Sequence, residues 1–302
     1  MTQPPAQSNA APSLCARAGH LHLAWSNSQQ QLHTITSSDG AARWDHNTPL
    51  HETSNHGPAI CEFNGDLYIA WTGIGAGAHP NVKSSRGDKV TLSQDASPFG
   101  PALTVFNNQL FLAWVGTDPG RSLNIVSSPH GLDFSDKRIL GQSSIGSPAL
   151  QVARASDSPS GEPGEALLLL AFTDSHQHLR IGGSADGQTF QFGGPIKGPI
   201  EEETSFTGPA LLTDQPDPSR ASTVYISWTG IEARHTINTM ASVKPEEFSG
   251  GFDPSTKQTL DRSRSLAGPS LARLPHGTQS TLFMSYTRED NHQLDVITWH
   301  GQ

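Results

Sequence analysis

The chain has 302 residues, with 29 glycines, 22 prolines and only 16% charged side chains. Net charge is −9 and the isoelectric point about 5.8, with no cluster of lysine or arginine. No basic face is available to neutralise the phosphates of a nucleic acid, and the negative charge opposes docking on an anionic membrane.

The first ten residues, MTQPPAQSNA, lack the basic start and apolar run of a secretory leader. The longest apolar run, around residues 166–172, is too short to span a bilayer. The expectation is a cytoplasmic protein, unless a leader has been removed. A short motif then begins at Pro12: a small residue, Pro, Ala or Ser, then Leu or Ile. It returns at Pro58, Pro101, Pro148, Pro209 and Pro269, at spacings of 46, 43, 47, 61 and 60 residues. A second motif follows each first one, as LHLAWS from Leu21, LYIAWTG from Leu67, LFLAWVG from Leu110, LLLAFT from Leu168, VYISWTG from Val224 and LFMSYT from Leu282. A third short strand follows, as in LHTITSSDG, LNIVSSPHG and LDVITW, and a weaker fourth ends near Leu50, Leu92, Leu140, Ile200 and Leu260.

Each repeat therefore reads as four half-buried strands, A to D. Six such units predict an all-β fold, a single six-bladed β-propeller over 1–302. The predicted blades are 12–56, 57–99, 100–145, 146–206, 207–266, and 267–302 completed by 1–8. The last assignment rests on a serine four residues before each proline: Ser8, Ser54, Ser97, Ser144, Ser205 and Ser265. Ser8 precedes the first repeat, while the last repeat ends after its strand C. Residues 2–6 are thus expected to supply the missing strand and close the ring. Pro4 and Pro5 restrict that strand to a short, outermost position.

Most repeated residues read as structure. The aromatics Trp25, Trp71, Trp114, Phe172, Trp228 and Tyr286 end strand B with apolar partners at i−2 and i−4, which predicts packing between blades. The residue two after each proline is large and apolar, and should face the core. The residue one after is Ala or Ser, which suits a crowded axis. The six serines read as turn residues. Cys15 and Cys61 occupy equivalent places on adjacent blades, too far apart for a disulfide, and are expected as free, unactivated thiols near the channel. The longer A–B loops of blades four to six, such as residues 153–163, fall on the face opposite the B–C and D–A loops.

SSDGAARW from Ser37 and GSADGQTF from Gly183, with SSPHGLDF from Ser127 as a weaker version, resemble the Asp-box turns of sialidase-like propellers. The resemblance implies the propeller architecture and a structural role for these turns. The catalytic arginine triad and the nucleophile pair of that family have no recognisable counterpart, so its activity does not transfer.

Function is then expected where the repeats differ, on the face carrying the B–C and D–A loops. The candidate ligand-binding residues are His56, Phe99, Asp118, Arg121, Asp174, His176, Phe206, Glu232, Arg234, His235 and Asp290. The leading expectation is a lectin-like module binding a glycan or another small molecule at the channel mouth, with no metal or other cofactor. The alternative is an enzyme using His56, Asp118 and Glu232 in acid–base chemistry, as a glycoside hydrolase or a cyclase or isomerase of a small metabolite. A protein-interaction scaffold is the third reading, since fold alone does not choose.

Overall fold

A computed structural model describes residues 3–154, 164–192, 199–214, 221–232, 234–242, 251–276 and 279–299. The six inner strands A are Ser13–Arg17, Ala59–Phe63, Ala102–Phe106, Ala149–Arg154, Ala210–Asp214 and Ser270–His276. Each begins just after a motif proline. Each pairs antiparallel with its strand B, and B with C. Five sheets have four strands in the order A–B–C–D, and the sixth has three. The chain is a six-bladed β-propeller, and among the described residues no helix is long and apolar enough to cross a membrane.

The core lies between blades. Trp71, for example, packs with Ala24 and Leu32 of blade one and Ile60 and Ile69 of its own blade. All six strand-B aromatics are at most 2% exposed, and the six large residues two after the prolines are buried with them. Three of the tryptophans are capped from strand D by a lysine, each paired with an acid near the end of the preceding blade. Lys89 lies over Trp71 and pairs with Glu52, Lys137 lies over Trp114 and pairs with Asp95, and Lys257 lies over Trp228 and pairs with Glu203. The cation–π contact and the ion pair seal the outer edge of each inter-blade layer.

The serine repeat has a specific task. Each serine amide donates to a carbonyl in the B–C loop of the blade that it ends: Ser8 to His292, Ser54 to Gln30, Ser97 to Ala78, Ser144 to Arg121, Ser205 to Gln177 and Ser265 to His235. The hydroxyls of Ser8, Ser54, Ser144 and Ser205 donate forward, to the carbonyls that end strand B of the next blade at Ser26, Thr72, Thr173 and Thr229. A second ring of bonds runs the same way. Ser26, Thr72, Thr173, Thr229 and Thr287, each one residue after the blade aromatic, donate to the next D–A loop at Ser54, Phe99, Thr207, Ala267 and Ala10. The Thr287–Ala10 bond carries this ring across the chain ends.

Closure follows the expected route with a smaller element. Gln7 forms a single antiparallel bridge with Gln293, and the Ala6 carbonyl accepts the Leu294 amide at 3.0 Å. Blade four shows the same arrangement, with a His178–Thr204 bridge and Leu179 donating to Glu203. The N-terminal segment therefore takes the place of the end of a strand D rather than a whole strand. Pro4 and Pro5 lack amide hydrogens and cannot extend the ladder. Of the expected segment, Thr2 lies outside the described residues, as do most of the long A–B loop at 153–163 and residues 215–220.

The Asp-box turns are structural, as the resemblance implied. The Ser37 and Ser184 hydroxyls donate to Asp39 and Asp186, whose carboxylates accept the amides of Arg43 and of Gln188 and Thr189. Ser128 and Asp133 form the third such turn. Backbone amides hold Asp39 and Asp186 below the usual carboxylate range, and the Ser128 hydroxyl does so for Asp133.

Candidate functional site

The inner strands surround a central channel of about 680 Å³. Its tightest ring is the residue before each proline. A side chain at Gly57 would run into the Ala11 carbonyl, and one at Gly208 into that of Ser147. The crowding expected one residue after the proline is thus most severe one residue before it. The small residues after the proline serve the ring in another way: the Ser13 and Ser270 hydroxyls accept the amides of Ile60 and Leu14 on the next inner strand. Cys15 and Cys61 are free and line the channel. Burial pushes the Cys15 thiol up to about 12 and the Cys61 thiol well above its ordinary value, so neither is an activated nucleophile.

The D–A loops form the mouth with the residues two and three before each proline. Asn9, Asn55, His56, Phe99, Ile145, Phe206 and Leu266 line it. Among the described residues lining the channel there is no aspartate or glutamate, although the chain has 28. Burial lowers the His56 pKa, which favours a neutral ring at neutral pH.

The B–C loops stand around this mouth and are built on one recurring turn. The carbonyls of Asn27, Asp118, Asp174 and Glu232 accept the amides of Gln30, Arg121, Gln177 and His235. The four donor residues, Gln30, Arg121, Gln177 and His235, have φ of 66°, 48°, 70° and 45°, a left-handed backbone that costs on the order of 1–2 kcal/mol for a residue with a Cβ. The same residues present their carbonyls to the next repeat serine, so the strained turn locks one blade to another. The Asp118 carboxylate accepts the Ser122 hydroxyl at 2.8 Å and the Ser122 amide, bonds that hold it below its ordinary pKa. Burial raises Asp174, but Arg180 at 2.7 Å and the amides of His178 and His176 outweigh it and hold it low.

Two clusters reach the mouth. The Arg121 guanidinium lies 5.6 Å from the Phe99 ring centre, and Phe99 meets His56 edge-on at 6.3 Å. Around the B–C loop of blade five, Phe206 meets His235 edge-on at 5.0 Å, and His235 Nδ1 lies 2.9 Å from Glu289 Oε1. Of the eleven candidate residues, His56, Phe99 and Phe206 line the channel, and Arg121 and His235 touch those that do. Asp118, Asp174, His176, Glu232, Arg234 and Asp290 are not among the lining residues. Asp118 and Asp174 are occupied as turn formers, Glu232 folds back over Gly230, and Asp290 pairs with Arg288. His176 and Arg234 are exposed. The acid–base trio His56, Asp118 and Glu232 is therefore not gathered at one pocket. Sequence reasoning missed Asn9, Asn55, Ile145 and Leu266. Their signal was available, because all four lie three residues before a motif proline.

No family model and no curated protein matches the chain. Solved structures do match in shape. A mutant of AofleA from Arthrobotrys oligospora is 9% identical, with a TM-score of 0.66 over 96% of this chain and 86% of its own. The fucose-specific lectin of Aleuria aurantia is 8% identical, with a TM-score of 0.64 over 99% of this chain and 93% of its own. The Trypanosoma rangeli sialidase solved with sialic acid is 12% identical, with a TM-score of 0.62 over 97% of this chain and 54% of its own. At these identities the likenesses establish the propeller architecture, shared with lectins and sialidases, and nothing finer.

Proposed function

We propose that this propeller binds carbohydrate at the top mouth of its central channel. The observation that carries this reading is Phe99, set between the donor groups of Arg121 and His56, with Phe206 and His235 as a second such pairing. A sugar offers apolar C–H faces to aromatic rings and hydroxyls to nearby nitrogen donors, which is the mixture such a mouth presents. His56, Phe99, Arg121, Phe206 and His235 contact the ligand in this reading, while Asp118 and Glu232 act indirectly by fixing the turns that carry Arg121 and His235. The likeness in fold to the fucose-specific lectin of Aleuria aurantia supports the reading.

Binding fits better than hydrolysis. Glycosidic cleavage by the usual route needs two carboxyl groups flanking the bond, and the described lining residues supply none. The test is a glycan array followed by calorimetry on the wild type and the Phe99→Ala and Phe206→Ala variants. The reading expects at least one saccharide class to bind, and each variant to weaken it about tenfold, the scale of losing a buried aromatic contact. An empty array, or unchanged affinity in both variants, overturns it.

A further inference from the structure

The mouth is two-sided. At the position three before the prolines that open blades one and two stand Asn9 and Asn55, with His56 beside Asn55. At the same position before the prolines that open blades four, five and six stand Ile145, Phe206 and Leu266. Leu266 is 50% exposed and Ile231, in the B–C loop of blade five, 45%. The Ser205–Gly230 bridge brings the Ile231 loop against the Phe206 loop. Of the four large apolar side chains that are exposed among the described residues, Ile74, Ile231 and Leu266 lie on top-face loops, and only Ile139 lies elsewhere. Ile231 and Leu266 stand on the half of the mouth opposite the amides, whereas Ile74 belongs to the B–C loop of blade two, on the amide side.

We infer that the ligand is an amphiphilic glycoside, its sugar held against Asn9, Asn55, His56 and the Phe99 and Phe206 rings and its apolar aglycone laid over Ile145, Leu266 and Ile231. The inference rests on the carbohydrate reading and adds the class of ligand. A channel of about 680 Å³ falls in the range of small-molecule sites and admits a sugar with a short chain or ring, but no folded protein. Water gains by release from exposed leucine and isoleucine, and each methylene buried fully strengthens binding about fourfold. A polar ligand alone leaves that half of the mouth wet, and a purely apolar one strips the water from the Asn9 and Asn55 amides without replacing their hydrogen bonds.

The experiment is calorimetry with the methyl and hexyl glycosides of glucose, galactose, mannose and fucose. The inference expects the hexyl glycoside of any sugar that binds to bind at least about tenfold tighter than its methyl counterpart, five half-buried methylenes being ample for that. In the Ile231→Ser, Leu266→Ser double variant the hexyl advantage shrinks to less than about threefold, with melting unchanged because both side chains are exposed. Equal affinity of methyl and hexyl glycosides overturns the inference and leaves the carbohydrate reading standing. Hexyl glycosides that bind alike whatever the sugar, with methyl glycosides silent, overturn the carbohydrate reading and with it the two-part ligand. Silence from every compound overturns both.

Discussion

Ser144 shows how a single small side chain carries the architecture. It is buried, yet it contributes little apolar area. Its amide reaches back to Arg121 of blade three and its hydroxyl forward to Thr173 of blade four. Replacing it with alanine leaves the Thr173 carbonyl without that donor and removes the acceptor of the Gly146 amide. We expect Ser144→Ala to cost about 1–3 kcal/mol, read from the midpoint of urea unfolding. His22 makes a pH prediction at the same scale. Burial, with Arg17 and His20 adding to it, lowers its pKa to about 4. The unfolded imidazole takes up its proton near pH 6.5, so between pH 6.5 and 4 the unfolded state binds more protons. Stability is therefore present above pH 6.5 and is lost as pH falls toward 4. His22→Gln should flatten that part of the melting-temperature profile against pH.

At the scale of elements, the ring depends on a very small one. The residues from Pro4 to Ala10 give blade six one bridge, the bonds from Leu294 to Ala6 and from Ser8 to His292, and the Thr287 bond to Ala10. Each has an equivalent elsewhere in the ring, so the closure is a blade boundary like the others. Deleting residues 1–8 removes the bridge and leaves the His292 and Ser26 carbonyls without their donor. It should lower the melting temperature by more than any single-site change discussed here, measured by circular dichroism; an unchanged melt would show that the ring is held by other contacts. This route was readable from the chain because Ser8 stands without a repeat before it. The reduced size of the element was less readable, since strand content depends on which amides find partners. The lysine caps over Trp71, Trp114 and Trp228 were not readable either, because strand D is the least regular segment and its register shifts against strand C in blades three and five.

At the scale of the molecule, symmetry separates structure from site. Six-fold features proved to be staples, packing and turns. Features that vary by blade are the mouth residues His56, Phe99, Ile145, Phe206 and Leu266, and the loop residues Arg121 and His235 that stand beside the two phenylalanines. Part of the candidate site was legible: His56, Phe99 and Phe206 stand out as departures at fixed distances before the prolines. The carboxylates were not, because whether Asp118 or Asp174 faces a ligand or its own turn depends on three-dimensional loop geometry that residue type does not encode. Arg121→Gln should fold normally, as glutamine occupies the equivalent left-handed position at Gln30 and Gln177. It should weaken saccharide binding about tenfold or more in calorimetry, the scale of one charge-assisted hydrogen bond, without changing the melt.

The most direct test of saccharide binding at the channel mouth is a crystal structure with a saccharide identified on the array. The sugar is expected at the channel mouth, in contact with Phe99 or Phe206 and hydrogen-bonded to at least one of Asn9, Asn55, His56 and Arg121. A sugar bound instead on the outer strands or the opposite face, with the mouth holding only water, would contradict it.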